Sequence, residues 1–191
     1  MLAPTLIFLI TTAGDLFVLA LLLRVLLQWV RAPARNQLSE FVRTVTDFLV
    51  RPARRVIPGL WGIDLATLLI AWLVTMLQLW LVLLVKGYAP GHASGVAFAV
   101  VAALALINIA RLTVYVIMIA VILQAVLSWT NPHSAASPLL SSVTGPFLRP
   151  FQKRVPTIAN VDLSPLLVLL ICQLILAVPL VWMEATVGRL L

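Results

Sequence analysis

The chain has 191 residues, of which 63% are hydrophobic and only 10% are charged, and its formal net charge is +7. Soluble domains are about half apolar and about a quarter charged, so this composition, with a mean hydropathy of +1.14, excludes an ordinary soluble protein and indicates a membrane protein. The single cysteine, Cys172, excludes an intrachain disulfide.

The first apolar segment covers residues 2–30 and is interrupted only by Asp15 and Arg24. It lacks the basic start and the small-residue cleavage site of a signal peptide. We therefore predict a first membrane span at about residues 5–30. Arg24 is close enough to the end of this span to extend its side chain to the interface without a partner.

A basic connector follows at residues 31–62, with six arginines against Glu40 and Asp47, a net charge of +4. Its first half, NQLSEFVRTVTDFLV, places apolar residues at helical spacing and predicts an amphipathic helix with Asn36 or Ser39 as N-cap. Such a helix lies either in the membrane interface or on the protein's own end. The prolines of RPARRVIP then predict a turn.

The second apolar segment, Leu65–Val85, has 21 residues and no charge. At about 1.5 Å per residue its helix is roughly 31 Å long, enough to cross a hydrocarbon core of about 30 Å. Asp64 directly precedes it, where a carboxylate interacts favourably with the positive end of a helix. We predict that Asp64 starts the second span.

The third apolar segment, residues 96–129, is interrupted only by Arg111. Its 34 residues are too many for one upright helix. We predict a third span at about residues 100–129. Residues 91–110 then hold either an extension of that span or a separate short segment.

A second basic connector covers residues 130–161 and carries three cations and no acid, a net charge of +3. Its helical pattern, SPLLSSVTGPFLRPF, is weaker than the first, and we expect a break at Gly145 and Pro146.

The fourth span is predicted at residues 163–183, which carry no charge. The motif DLSP lies at its start. It places Asp162 near the positive helix end, Ser164 as N-cap and Pro165 in the first turn.

The second half of the chain repeats the first. RPARRVIPGLWGIDLATLLI at residues 51–70 aligns without a gap to RPFQKRVPTIANVDLSPLLV at residues 149–168, and LLQWVRAP at 26–33 aligns to VLSWTNPH at 126–133. We therefore predict an all-α membrane protein with four transmembrane helices from two parallel repeats. In each repeat an amphipathic helix joins the two spans.

The first repeat covers residues 1–90 and the second covers residues 91–191. Both basic connectors lie on one side of a four-span protein, and the positive-inside rule places that side in the cytoplasm. We therefore predict periplasmic termini and two repeats of the same orientation, related by an axis along the membrane normal.

Each connector contains a basic cluster that we expect to contact anionic lipid headgroups or a protein partner. The alternative is that these charges only set the orientation in the membrane. A sequence pI of about 11.1 also suggests nucleic-acid binding. No recognised binding motif accompanies the basic residues, however, and the membrane topology explains their excess. The cluster residues are Arg51, Arg54 and Arg55 in the first connector and Arg149, Lys153 and Arg154 in the second.

Charges inside the spans need partners, because an unpaired charge at the membrane centre costs about 2.5–3.5 kcal/mol. Counted along the helices from Trp29 and Trp129, Asp15 lies roughly 21 Å and Arg111 roughly 27 Å from the connectors. We predict an ion pair between Asp15 and Arg111. Glu184 is the rival partner of Arg111, and extension of Arg111 to the interface is a third option.

The doubled pattern of LxxWxxP, an amphipathic segment, RPxxRxxP and DLSP resembles the YggT family of bacterial integral membrane proteins over nearly the whole chain. The tandem form resembles that of Gram-negative bacteria, which implies the bacterial inner membrane. The first copy departs from the pattern with DLAT for DLSP, and Gln152 stands in the second copy where the first has Arg54. A ligand site built on this motif would therefore differ between the two copies.

The resemblance implies a role in osmotic shock tolerance and ion transport, whereas relatives in cyanobacteria and chloroplasts are linked to cofactor assembly on cytochromes and to division or nucleoid organisation. The favoured hypothesis is a transport component in osmotic or ionic homeostasis, as a homo-oligomer or with other membrane proteins. The alternative is a membrane scaffold or assembly factor. Polar groups along the spans are sparse for a channel in one subunit: Asp15, Arg24, Gln28, Gln78, Asn108, Arg111, Gln124, Ser128 and Gln173.

The sequence offers no pattern of enzyme chemistry. His92 and His133 are isolated in connectors, and the chain contains no Gly-rich phosphate loop or metal-ligand motif. We expect no enzyme activity, no metal and no cofactor.

Overall fold

Helices make up nearly all of the described part of the chain. The computed structural model describes residues 2–32, 36–55, 57, 64–88, 94–131, 134, 136–154 and 162–189. The helices are α1 (Leu2–Trp29), α2 (Gln37–Arg54), α3 (Leu65–Val85), α4 (Ser94–Thr130), α5 (Ser137–Gln152), α6 (Ser164–Ile175) and α7 (Val181–Gly188), and a π-helical turn at Leu176–Leu180 joins α6 to α7.

Four helical segments are long and apolar enough to cross a membrane, which confirms the predicted all-α fold with four spans. Large apolar side chains such as Leu73, Leu77 and Leu170 are exposed on the helices, as expected of surfaces that face lipid rather than water. The four segments are Leu2–Trp29, Leu65–Val85, Gly95–Thr130 and Ser164–Gly188.

The third span is a single helix from Ser94 to Thr130, about 55 Å long. The described residues before position 100 are therefore an extension of this span rather than a separate segment. Trp72 of α3 donates from Nε1 to the carbonyl oxygen of Ala102 at 3.0 Å. This bond ties α3 to the first third of α4.

The fourth span reaches beyond its predicted end at residue 183 and contains Pro179. This proline lies in the π-helical turn Leu176–Leu180. Proline lacks an N–H group and clashes with the carbonyl four residues earlier in a regular helix. A local widening of the helix to i→i+5 bonding accommodates it, and the helical path continues to Gly188.

The two repeats share a hydrophobic core at the end of the bundle that carries α2 and α5 (the connector end). Val18 of α1, Val50 of α2 and Val143 of α5 belong to this one cluster. The ring centroids of Trp29 and Phe147 lie 6.3 Å apart. Both connector helices therefore lie at the same end of the bundle, and the repeats have the same orientation.

α2 is amphipathic, as its sequence predicts. Asn36 caps it by accepting a hydrogen bond from the Ser39 amide at 2.7 Å. One face, with Val42 and Val50, is buried against the bundle, whereas Phe41 is 63% exposed. The helix therefore packs on the protein's own end and still leaves apolar surface for the membrane interface.

The predicted break of α5 at Gly145 and Pro146 is wrong, because the helix continues to Gln152. Pro146 and Pro150 are four residues apart and both are exposed. They share the outer side of the helix, where carbonyls that lose an N–H partner stay open to solvent or headgroups. Burial of the opposite face holds the helix together.

The turn predicted at the prolines of the first connector is wrong at Pro52, which lies inside α2. Pro58 and its counterpart Pro156 lie outside the described part of the chain, as do residues 91–93 before the third span and the two isolated histidines, His92 and His133.

Candidate functional site

The corner between α2 and α3 is tied by Asp64. Its carboxylate caps α3 by accepting hydrogen bonds from the Thr67 amide at 3.2 Å and from the Thr67 hydroxyl. Arg54, the last residue of α2, forms an ion pair with the same carboxylate and donates to Gln28 Oε1 of α1 at 3.0 Å. One arginine therefore joins the ends of three helices.

Asp64 is only 3% exposed. Burial by itself raises the pKa of its carboxyl group, but hydrogen bonds from Arg54 and Thr67 lower it more, so the pKa lies below its ordinary value of 3.8. The carboxylate is therefore charged at neutral pH and available to Arg54.

The corner between α5 and α6 is tied by Asp162 without a cation. Its carboxylate accepts hydrogen bonds from Gln152 Nε2 at 2.8 Å and from the Ser164 amide at 2.8 Å. Burial raises the pKa of Asp162, but hydrogen bonds from Ser164 and Gln152 lower it more, and the net shift is downward. Ser164 is the first residue of α6 rather than its N-cap, which corrects the prediction, and Pro165 lies in the first turn.

The six clustered cations divide into two groups. Arg51 pairs with Asp47 at 3.3 Å, and Arg54 pairs with Asp64. The other four are exposed and form no ion pair within the part of the chain that the structure describes: Arg55, Arg149, Lys153 and Arg154. Their contact with lipid or a partner stays a prediction.

Arg24 does not extend alone to the interface as expected. It is only 8% exposed, and its Nη1 lies 2.7 Å from Asp47 Oδ1 of α2 and donates to Thr46 Oγ1 at 2.7 Å. The signal in the sequence was Asp47 itself, one of two acids in a connector with six arginines.

A polar cavity of about 180 Å³ lies between α1, α3, α4 and α7, about 20 Å along α1 from the connector end. Gln78 donates from Nε2 to Asp15 Oδ1 at 2.9 Å and to the carbonyl of Thr11 at 3.3 Å. Gln78 is 5% exposed, and its Oε1 is buried without a hydrogen-bond partner. The polar residues of this chamber are Thr11, Asp15, Gln78, Asn108, Arg111 and Glu184.

The predicted ion pair between Asp15 and Arg111 is wrong, because Arg111 pairs with Glu184 of α7, the rival partner weighed from the sequence. Asp15 and Arg111 do line the same chamber. Counting residues along each helix therefore predicted correctly that Asp15 and Arg111 lie at similar depth. The rotation of α4 about its axis, which counting does not give, determines that Arg111 pairs with Glu184.

Four apolar spans, two connector helices at one end and a polar chamber between the spans define a multi-pass α-helical membrane protein. The family model described as CCB3/YggT matches the chain in two segments, residues 3–85 and 103–183. The chain belongs to the CCB3/YggT family, and the double match is consistent with tandem repeats.

Relatives from several bacteria match most of the chain. An uncharacterized protein of Pseudomonas aeruginosa is 36% identical over 172 residues, which cover 88% of this chain and 85% of the relative. The uncharacterized protein YggT of Escherichia coli K12 is 31% identical over 178 residues, or 90% and 87% of the two chains. An uncharacterized protein of the proC 3′ region of Vibrio alginolyticus is 32% identical over 161 residues, or 83% and 84%. No solved structure matches the chain.

Proposed function

We propose that the protein is a component of ion or osmolyte transport in the bacterial inner membrane, where it serves osmotic or ionic homeostasis as a homo-oligomer or with other membrane proteins. The polar chamber carries this proposal. Ionisable residues inside membrane spans are costly and commonly mark ion pathways. The chamber holds three of them, Asp15, Arg111 and Glu184.

The charges of the chamber favour a cation as the transported species. Because Arg111 pairs with Glu184, Asp15 has only the amide of Gln78 as a hydrogen-bond donor among the described residues. The Gln78 amide is fixed by this bond, since the opposite orientation would set its oxygen against a carboxylate. The Asp15 carboxylate on the wall of the chamber is an oxygen ligand of the kind that hard cations take.

Purified protein reconstituted alone into liposomes tests the proposal through flux of K⁺, Na⁺ and small osmolytes. We expect cation flux above that of empty liposomes and a loss of about tenfold for Asp15→Asn, which corresponds to about 1.4 kcal/mol. Gln173→Leu is the control, because Gln173 is an exposed polar residue of α6 outside the chamber. Folded protein without flux, or an equal loss in both variants, contradicts transport.

Gly14→Ala is a second variant for the same assay. A Cβ at Gly14 would lie 2.3 Å from Gln78 Oε1 and 2.6 Å from its Cδ, so alanine displaces the Gln78 side chain without removing a polar group. We expect reduced flux. Gly95→Ala is the matched control, since nothing lies within 4 Å of a Cβ there, and its flux should equal that of the unchanged protein.

The alternative function is a membrane scaffold or assembly factor, and an apolar groove of about 330 Å³ favours it. The groove is lined by both repeats, with α1 and α4 along its length and α2 and α5 at the connector end. Phe41, Ile119 and Leu123 on its walls are exposed. A scaffold predicts no flux in liposomes, together with a membrane-protein partner that co-purifies at fixed stoichiometry. Neither function requires enzyme activity, a metal or a cofactor.

The proposed topology places the connector end in the cytoplasm and both termini in the periplasm. Reporter fusions at Gln37 and Ala136 should report the cytoplasm, and a fusion at Gly91 should report the periplasm. A periplasmic signal at Ala136 contradicts this topology. The basic clusters would then face anionic headgroups, each cation contributing on the order of 1 kcal/mol.

A further inference from the structure

A second polar pocket lies at the connector end of the first repeat and plays no part in the transport proposal. It has a volume of about 210 Å³. We call it the arginine pocket. Its polar lining comes from α1 and α2 and consists of Arg24, Gln28, Ser39, Arg43 and Arg54.

The arginine pocket carries an excess of positive charge. Arg24 and Arg54 have carboxylate partners in direct contact, Asp47 and Asp64, so the excess comes from Arg43. Arg43 is exposed and forms no ion pair with any residue that the structure describes. Guanidinium groups present several N–H donors in a planar fork that fits the oxygens of a phosphate.

Gln28 adds a neutral donor to these charges. Its Oε1 accepts from Arg54, which fixes the amide and leaves its nitrogen to donate. The lining residues of two helices therefore supply hydrogen-bond donors to one pocket: the guanidinium groups of Arg24, Arg43 and Arg54 and the Gln28 amide.

The second repeat shows that the fold does not need these arginines. Counted back from the two aligned segments, the positions of Arg24, Arg43 and Arg54 hold Gln124, Ser141 and Gln152 in the second repeat. Gln124 and Gln152 line a different pocket there, which lies between α4, α5 and α6 and also includes Asp162. Gln152 ties α5 to the start of α6, as Arg54 ties α2 to the start of α3. The same corner thus forms without a guanidinium group.

We propose that the arginine pocket binds one phosphate group per chain, from a phospholipid headgroup or from a soluble phosphate, and that the second repeat has no such site. The three arginines of the first repeat serve this ligand, since a glutamine makes the corresponding tie between helices in the second repeat.

The test uses the full-length protein in a maltoside detergent that contains no phosphate. Native mass spectrometry counts phosphatidylglycerol molecules bound per chain, and isothermal titration measures binding of inorganic phosphate. Arg43→Gln removes one exposed arginine of the pocket, and Arg149→Gln removes one exposed cation of the second repeat, so both variants lose one charge. Unchanged thermal midpoints of both variants show that each is folded.

We expect one tightly bound phosphate per chain, weakened about tenfold by Arg43→Gln, as for loss of a charge-assisted hydrogen bond, and unchanged by Arg149→Gln. Retention of one phosphatidylglycerol without binding of inorganic phosphate assigns the site to a lipid headgroup. Binding of inorganic phosphate with the same dependence on Arg43 assigns it to a soluble phosphate. Absence of both, or equal weakening by the two variants, overturns the proposal and leaves only diffuse surface charge.

Discussion

At the connector end, the corner of the first repeat is held by an ion pair and the corner of the second by neutral hydrogen bonding to a carboxylate. Arg54 reaches from α2 to Asp64, and Gln152 reaches from α5 to Asp162. Both carboxylates also accept a hydrogen bond from an amide at the start of the next span. The shared parts are the carboxylate and a donor at the helix end, so these are what the fold requires.

The two repeats differ more sharply inside the bundle. The first holds an ion pair between Arg24, which is buried, and Asp47, which is 28% exposed in its side chain, and the aligned positions of the second hold Gln124 and Gly145. A buried ion pair carries a desolvation penalty that offsets much of its attraction. Its presence in one repeat alone indicates a role other than holding the helices together.

The largest expected effect comes from removing the carboxylate that balances the buried Arg24. Asp47→Ala leaves Arg24 buried without its counter-ion, and we expect a loss of about 3 kcal/mol of stability. The double variant Arg24→Gln/Asp47→Ala imitates the second repeat and should recover most of that loss. Thermal midpoints in detergent measure both. A single variant as stable as the double would show that the pair is not buried as two charges.

Removing the carboxylate at each corner gives the next largest effect. Asp64→Ala loses a helix cap and leaves Arg54 without its partner, so we expect a loss of about 2 kcal/mol, against about 1 kcal/mol for Asp162→Ala. Asparagine at either position is the control, because it keeps a capping oxygen. Equal losses at the two corners would mean that the ion pair contributes nothing beyond the neutral bond.

A smaller effect is expected from Arg54→Gln, which copies the second corner into the first. The lowered pKa of Asp64 means that the folded protein holds this proton less tightly than the unfolded chain, so the contribution of Asp64 is complete above about pH 4 and is lost as the pH falls through the folded-state pKa. Arg54 is 42% exposed in its side chain, so the variant should lose under about 1 kcal/mol at neutral pH.

The difference between Arg54→Gln and the unchanged protein should therefore close on acidification toward pH 3. Thermal midpoints at several pH values measure it, and Arg149→Gln is the charge-matched control, with no pH-dependent difference expected. If the difference in thermal midpoint stayed constant from pH 7 to pH 3, the contribution of Arg54 to stability would not depend on the charge of Asp64.

The smallest effect is expected where the first span of each repeat ends. Arg31 has φ 51°, and its amide donates to the Gln28 carbonyl while the Ala32 amide donates to Leu27, the bonding of a Schellman motif that favours glycine. Arg31→Gly should therefore stabilise by about 0.5–1 kcal/mol. The aligned Asn131 instead donates to Leu127 as in a continuing helix, so Asn131→Gly should not stabilise. A gain at both positions would contradict this difference.

The four spans could be predicted because the length and apolarity of each segment can be read from that segment alone, without its packing partners.

The chamber could be predicted only in part. Depth along a helix follows from counting residues and brought Asp15 and Arg111 to similar levels, but it leaves the rotation of the helix open. Packing of α4 against α7 determines that rotation and pairs Arg111 with Glu184.

The ion pair of Arg24 escaped sequence reasoning for a different reason. A long cationic side chain near the end of a span can keep its charge hydrated without a partner, by extending to the interface. Only the packing of α2 across α1 brings Asp47 within 2.7 Å. The continuous path of α5 was missed likewise, because Gly145 and Pro146 predict a break unless burial of the opposite face is known.

The π-helical turn at Leu176–Leu180 sets the angular phase of the last span. Along α6 the buried positions recur every four residues, at Ser164, Val168 and Cys172, and Leu180 continues the same series. In a regular α-helix each four-residue step overshoots a full turn by about 40°. Five such steps would carry Glu184 about 200° away from the face on which the series began.

The turn takes up about one residue without advancing the helix, and one residue corresponds to about 100° of rotation. It therefore cancels about half of the accumulated drift and returns Glu184 toward α4, where Arg111 lies. The π-helical turn therefore sets which way the side chains of the final two turns face, separately from those of the first three turns. An uninterrupted helical wheel drawn from Ser164 would point Glu184 at lipid.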